Sequence, residues 1–416
     1  MKPRVLPTLL ACAAMAATTL SAAAAPAYAS TTLKPGADVL KALGSAKKGT
    51  TITLASGSWS ALWLDKWTTK KLDLTGVTLR GASRTGVVVH GLTLKGVKGL
   101  TVTNLTLANS SSAPESVVRI SDGSSHLVFD HVTVKPKAHS GFDIWKKTSY
   151  VTVRASIVDG RGVTGKLATN GTARAISVNG APYDLGSWPS NLTFSGNDLF
   201  GAGSDIITIA GGKHVVISGN RIHDPQKNAD HNDGIQSVGS DDLKIVGNRF
   251  WAPGPNGPDQ AIMLGPNRSV STLRVSGTYI ADNLVTAWRG SGINLVSTKA
   301  TRVINNTVGA MGTSGSRGSS LVKSGNSGLQ VVNNILFKVY GSGAVARQDH
   351  NCIADGATSK DIKTSSPGYD TGNDFKLLAS SRCRNNADSS AATKTDVGNR
   401  SRDAKPDRGA WEYVGK

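Results

Sequence analysis

The chain has 416 residues, a length that three average domains would fill, yet only 5% are aromatic and 47 are glycine. Apolar residues make up 38%, enough for a core and too many for long-range disorder. Lys+Arg outnumber Asp+Glu by 47 to 28, and just two of the acids, Glu115 and Glu412, are glutamates. Glutamate favours helices and aspartate does not, so a helical bundle is excluded and acid/base chemistry falls mainly to Asp and His.

The first element in chain order is an export signal. Lys2 and Arg4 precede an apolar, alanine-rich stretch from Leu9 to Ala25, and Ala27-Tyr28-Ala29 has the small-x-small form of a cleavage site. Cleavage after Ala29 would leave 387 residues carrying +17, because Lys2 and Arg4 depart with the leader. Cys12 departs as well, and the remaining pair, Cys352 and Cys383, is expected to form a disulfide in an oxidising compartment. A secreted chain with no membrane association after cleavage is the expectation, and a monomer.

Ala37 to Ala46 is the one helical stretch, followed by Thr51-Ile52-Thr53-Leu54 alternating as a strand that Gly57 ends. Beyond it, short β-rich runs ending in asparagine recur, at Asn104, Asn197, Asn220, Asn248, Asn283, Asn306 and Asn334. The steps between the last six are 23, 28, 35, 23 and 28 residues, periods that mean a solenoid of one or two strands per unit. A propeller needs longer units. Asparagine is disfavoured in strands, so its recurrence predicts stacked turn residues bonded from coil to coil.

The segment ADVLKALGSAKKGTTITLASGSW resembles the capping helix and first coil of right-handed parallel β-helix proteins of the pectate lyase-like superfamily, and the closing PDRGAWEY resembles their C-terminal end. The resemblance implies an all-β, right-handed parallel β-helix with a short N-terminal capping helix. It divides the chain into a signal peptide (1–29) and one β-helix domain (30–416), with an N-terminal cap and first coil at 30–60 and a C-terminal cap region from about 350.

Aligning the coils predicts the inward pairs Val118/Ile120, Phe142/Ile144, Ile176/Val178, Ile207/Ile209, Ile235/Ser237, Ile262/Leu264 and Ile293/Leu295. One outward row is expected at Arg119, Asp143, Ala175, Ile206, Gly234, Ala261 and Gly292, mostly small, leaving an open groove floor. A second, Ser121, Trp145, Ser177, Thr208, Gln236, Met263 and Asn294, suits sugar binding. Two residues before each inward pair stand Arg174, Asp205, Asp233, Gln260 and Ser291. With coils about 4.8 Å apart, Asp205 and Asp233 are expected as neighbouring carboxylates that share a proton, bind a cation such as calcium, or pair with Arg174. The turn before Asp233 carries His223, Asp224, Lys227, Asp230 and His231, which makes His223 and His231 candidate proton carriers.

Three sub-family likenesses bear on mechanism. HNDG resembles the Asn-Thr-Asp-Gly stretch of polygalacturonases, with Asp233 matching its acid and Gln260 standing where a pair of aspartates would be. HDPQKNADHNDGIQ resembles the Asn-x-x-Asp-Gly turn of mannuronan epimerases and related lyases, which place an Asp one coil earlier, as Asp205 is. LVKSGNSGLQVVNN with VARQDH resembles the Lys and Arg motifs of the alginate lyase and chondroitinase B family, nominating Lys323 and Arg347.

Net positive charge, with Lys135, Lys137, Lys146, Lys147, Lys166, Lys213 and Lys227 on one half of the solenoid, favours a polyanionic glycan. Nucleic acid is not expected, because the lysines are dispersed and no recognition motif is present. The leading expectation is a polysaccharide lyase cleaving a uronate-containing glycan by β-elimination. Its catalytic candidates are Asp205, Asp233, His231, His223 and Arg174; Trp145, Gln236, Lys213, Lys227, Gln260 and Asn294 are the substrate-binding ones. A glycoside hydrolase using the Asp pair, a uronan epimerase, and a non-enzymatic glycan or cell-wall adhesin are the alternatives.

Overall fold

Period-two alternation of apolar residues recurs in short runs down the chain, so each run buries one side and must lie against other runs. In the computed structural model those runs wind into a right-handed parallel β-helix. The structure describes residues 30–68, 72–109, 115–163, 173–181, 184–226, 232–252, 259–266, 273–286, 290–309, 320–370 and 374–415. The expected signal peptide lies outside them, and among the described residues no helix is long and apolar enough to cross a membrane.

Each coil contributes to three sheets. The first contains Leu92–Lys95, Val118–Ser121, Phe142–Trp145, Ile176–Asn179 and the opening halves of Ile207–Ser218 and Ile235–Val246, then Ile262–Leu264 and Ile293–Val296. Those two long strands turn the corner and finish in the second sheet, beside Ser190–Ser195. The third is built from three-residue strands such as Asp198–Phe200, Arg221–His223 and Arg249–Trp251. The expected inward pairs stack in register from Val118/Ile120 to Ile293/Leu295. They form one continuous core that includes Phe129, Phe142, Phe194 and Phe250.

The turn from the second to the third sheet is held by an asparagine ladder. Asn197, Asn220, Asn248, Asn283, Asn306, Asn334 and Asn351 are buried, and each Oδ1 accepts from the preceding coil. Each of these seven also donates its Nδ2 to a main-chain carbonyl, as Asn248 does to Ile217 at 2.9 Å. The residue before each rung is in the left-handed region, which explains the repeated Gly-Asn at 196, 219 and 247. Asn104 belongs to that left-handed column and not to the ladder; Leu105 and Val132 fill the ladder position in the early coils with apolar side chains.

The ends are covered. The helix is Val39–Ser45, N-capped by Asp38, and buries Val39 and Leu43 over the first coil. At the other end the chain leaves the solenoid, is tied back by Cys352–Cys383, and covers the later part of the third sheet, where Leu284 packs on Phe375 and Ala410. Arg402 clasps this segment to the coils, bonding Asp282 and Glu412. Glu412 is therefore a buried partner of an arginine.

Candidate functional site

The first sheet presents two outward rows, and their membership differs from the expectation. The register places Trp63, Thr93, Arg119, Asp143, Ser177, Thr208, Gln236, Met263 and Asn294 in one row. Ala175, Ile206, Gly234, Ala261 and Gly292 do not form a groove floor. They precede their strands by one residue and are buried where neighbouring coils meet. A Cβ on Gly234 would lie 2.6 Å from the Ala261 carbonyl oxygen, so close approach explains the small residues. Trp145 stands in the adjacent row with Asn179 and Ala210, away from Ser177.

Asp205 and Asp233 do stack, each 2% exposed or less. Asp205 Oδ1 accepts the Asp233 N–H at 2.9 Å, and Asp233 Oδ1 accepts the Gln260 N–H at 2.9 Å. Thr208 donates its hydroxyl to Asp205 Oδ2 at 3.3 Å. The two aspartates thus form rungs at the entry to the first sheet. Calcium takes six to eight oxygen ligands. The described donors to this pair are N–H and O–H groups, with a guanidinium as the nearby charge. Among the described residues the one metal-like grouping is Asp349, His350 and Asp388, and Arg347 bridges its two acids.

Arg174 lies one coil before Asp205 and is half-buried. Burial holds its guanidinium below the usual range, opposed by the charges of Asp205 and Asp143, and an arginine so placed stays charged. Its buried Nε has no hydrogen-bond acceptor. Asp143 faces the same cluster: Trp145 Nε1 donates to Oδ2 at 2.7 Å and Asn179 Nδ2 to Oδ1 at 2.6 Å. Burial pushes the Asp143 carboxyl above the usual range despite those bonds and the charge of Arg119. A carboxyl with a raised proton affinity beside a cation is a recurrent property of acid/base sites. Asp143 was visible only as an outward position, since what tunes it is supplied by neighbouring coils.

Other candidates disperse. His223 does not face the Asp pair; Ile222 points inward, so Arg221 and His223 point out of the third sheet. The His223 ring bonds Asp198 and Asp224, each at 2.8 Å. Lys213 sits past the corner in the second sheet, in register with Ser190 and Asp241. Lys323 is in the first sheet and donates to the Gly343 carbonyl, while Arg347 is in the second, paired with Asp349 and Asp388. The alginate lyase and chondroitinase B likeness therefore does not bring its two residues together. Gln236, Gln260 and Asn294 remain half-buried along the first sheet. His231 and Lys227, with Lys166, lie outside the described residues.

Two exposed tryptophans that the sequence did not single out, Trp63 on the first sheet and Trp67 in the turn after its strand, join Trp145, which it did. Trp63, Trp67 and Trp145 are exposed by 44%, 82% and 37%, and each has a cation over its ring: Lys95, Lys66 and Arg119 respectively.

No protein-family model matches the sequence, and no curated protein does. Among solved structures, the pectate lyase Pel9A aligns over 93% of this chain and 98% of its own at 14% identity, with a TM-score of 0.50. The chain has the pectate lyase-like parallel β-helix fold. The same pectate lyase-like fold relates it to the Streptococcus pneumoniae surface protein and adhesin PfbA (13% identity, 80% and 98% of the two chains, TM-score 0.50). An alginate lyase from Paenibacillus sp. str. FPU-7 aligns at 16% identity over 77% and 98%, with a TM-score of 0.48. A pectate lyase and an adhesin share the architecture, so activity must be argued from the side chains.

Proposed function

We propose that this protein is a secreted polysaccharide lyase that cleaves an acidic, uronate-containing glycan by β-elimination on its first sheet. The observation that carries the reading is Arg174: a half-buried guanidinium flanked by the charges of Asp143 and Asp205 at the entry to the first sheet. A uronate carboxylate is the group such a guanidinium receives, and pairing it makes the adjacent C5 proton more acidic. In the elimination a base takes that proton, a C4–C5 double bond forms, the C4–O bond breaks, and the departing oxygen receives a proton. Asp143, whose raised proton affinity lets it hold a proton, is assigned to the departing oxygen. Of the two histidines the sequence offers as the base, His223 faces out of the third sheet, and His231 is the one that remains. Exposed Trp63, Trp67 and Trp145 with their cations support binding of an extended anionic chain. A compartment that sustains the Cys352–Cys383 disulfide supports export.

Incubation with alginate, pectate, hyaluronan and chondroitin tests the proposal. At least one should yield products with an ultraviolet-absorbing double bond; none doing so would overturn it. New reducing ends without unsaturation would indicate a hydrolase. A non-enzymatic glycan-binding reading is favoured by one observation, the use of both Asp205 and Asp233 as rungs for the next coil's N–H. That reading requires polymer binding with no chemical change in any of the four substrates.

A further inference from the structure

The third sheet carries a second cleft that the lyase reading does not use. Its outward row stacks rings along the solenoid axis: Phe200 on His223 at 5.0 Å and 20°, and His223 on Trp251 at 4.1 Å and 8°. The stack stops there, because the next coil supplies Thr286 in register with Trp251. Beyond the stack the C-terminal segment begins to cover the sheet, and Asp374, Phe375 and Val397 form a wall. Between wall and indole lies a cavity of about 510 Å³, floored by Arg221, Arg249, Trp251 and Thr286. This volume falls in the roughly 300–1,000 Å³ range of small-ligand sites.

The charges of the cleft are balanced. Arg249 pairs with Asp374 at 2.5 Å, Arg221 with Asp198 at 3.5 Å, and His223 bonds both Asp198 and Asp224. A polyanion would find no uncompensated cation here. A neutral sugar would find what its hydroxyls need, since guanidinium N–H groups donate while the neighbouring carboxylates accept. Its C–H face matches the part of the Trp251 indole that lines the cavity, beside the His223 ring at 4.1 Å and the Arg221 guanidinium at 5.0 Å from the indole centroid.

We propose that this cleft binds a neutral pyranose unit of a polysaccharide, stacked on Trp251 and hydrogen-bonded by the Arg249–Asp374 pair, and so anchors the protein to an uncharged polymer. The site is independent of the first-sheet chemistry. Its readout is binding alone, so failure of the lyase reading and failure of this one are separable.

The test is affinity electrophoresis of the full chain in native gels containing hydroxyethylcellulose, xylan, galactomannan or laminarin, with alginate as the acidic control. Wild type should be retarded by at least one neutral polymer. Trp251→Ala should weaken that retention roughly tenfold, the loss of one stacking contact with its bonds, and Trp251→Phe should keep part of it. Thr286→Trp gives up the long bond from the Thr286 hydroxyl to the Phe250 carbonyl, 3.3 Å, and extends the ring stack into the cavity; it should abolish retention with an unchanged circular dichroism spectrum. All three variants should retain wild-type behaviour toward acidic polymers. Retention by none of the neutral polymers, or retention unchanged in both Trp251→Ala and Thr286→Trp, would overturn the proposal.

Discussion

Arg174 and Asp143 are two residues whose properties are made by their neighbours. Replacing Arg174 by Ala removes the charge that would receive a uronate carboxylate, and turnover should fall by roughly two orders of magnitude or more, with kcat affected at saturating polymer. Asp143→Asn keeps the shape and the acceptor for Trp145 but cannot transfer a proton, so kcat should drop by about 10²–10⁴-fold. The sign of the pH effect follows from the direction of the shift. With the Asp143 proton held above the usual carboxylate range, wild-type kcat should decline as pH rises through that raised value, and Asp143→Asn should lack this limb. An unchanged profile in the variant would remove Asp143 from the reaction. The sequence marks Arg174, Asp205 and Asp233 as a column because register alone puts them there. It does not mark Asp143, because its burial and its bonds to Trp145 and Asn179 depend on the packing of two coils.

Among the elements, the asparagine ladder was the most legible, since a polar residue recurring in an apolar strand context has few uses other than bonding its own kind. Its misread member is instructive. Asn104 ends the same kind of β-rich run, but occupies the left-handed position that glycine fills at 196, 219 and 247. Both roles admit asparagine, and only the register separates them. Asn248, in mid-ladder, accepts from the Asn220 main chain and side chain and donates to Ile217 and Asn283. Asn248→Ala leaves those buried groups unpaired and should cost roughly 2–4 kcal/mol in urea unfolding, the unsatisfied-group penalty summed over more than one partner. A cost below about 1 kcal/mol would mean that water takes over the rung. The clasp gives a pH-dependent counterpart. Burial raises Asp282 from 3.8 to about 6 although Arg402 lies 2.8 Å away, and the charge of Asp396 adds to the rise. The folded state thus binds the Asp282 proton more tightly than the unfolded chain. Its contribution is full below the unfolded value near 3.8 and is lost as pH rises through about 6. Asp282→Asn should flatten the stability change between those values, measured by thermal unfolding across a pH series.

The whole molecule is a stack in which each coil touches mainly its neighbours, so its ends decide how it begins to unravel. The N-terminal end was legible, because a short helix before an alternating strand has a local signature; the helix proved shorter than Ala37 to Ala46 by a few residues. The C-terminal cover was legible only as a cysteine pair and a closing motif. Its contacts join residues about a hundred positions apart, such as Asn305 with Asp407 and Asp282 with Arg402, and no local pattern encodes them. Cys352 and Cys383 are 31 residues apart, and closing a loop of that size is worth roughly 3.5 kcal/mol through the unfolded chain. Cys352 begins a strand of the last coils, paired with Ile335, so the bond fastens the cover directly to the stack. Replacing both cysteines by Ala should therefore free the cover before the coils unwind. Limited proteolysis should cut within 374–415 at urea concentrations where far-ultraviolet circular dichroism still reports intact strands. A single transition in the double variant, at the wild-type midpoint and with no early cleavage, would show instead that the Arg402 clasp and the Leu284–Phe375 packing hold the cover unaided.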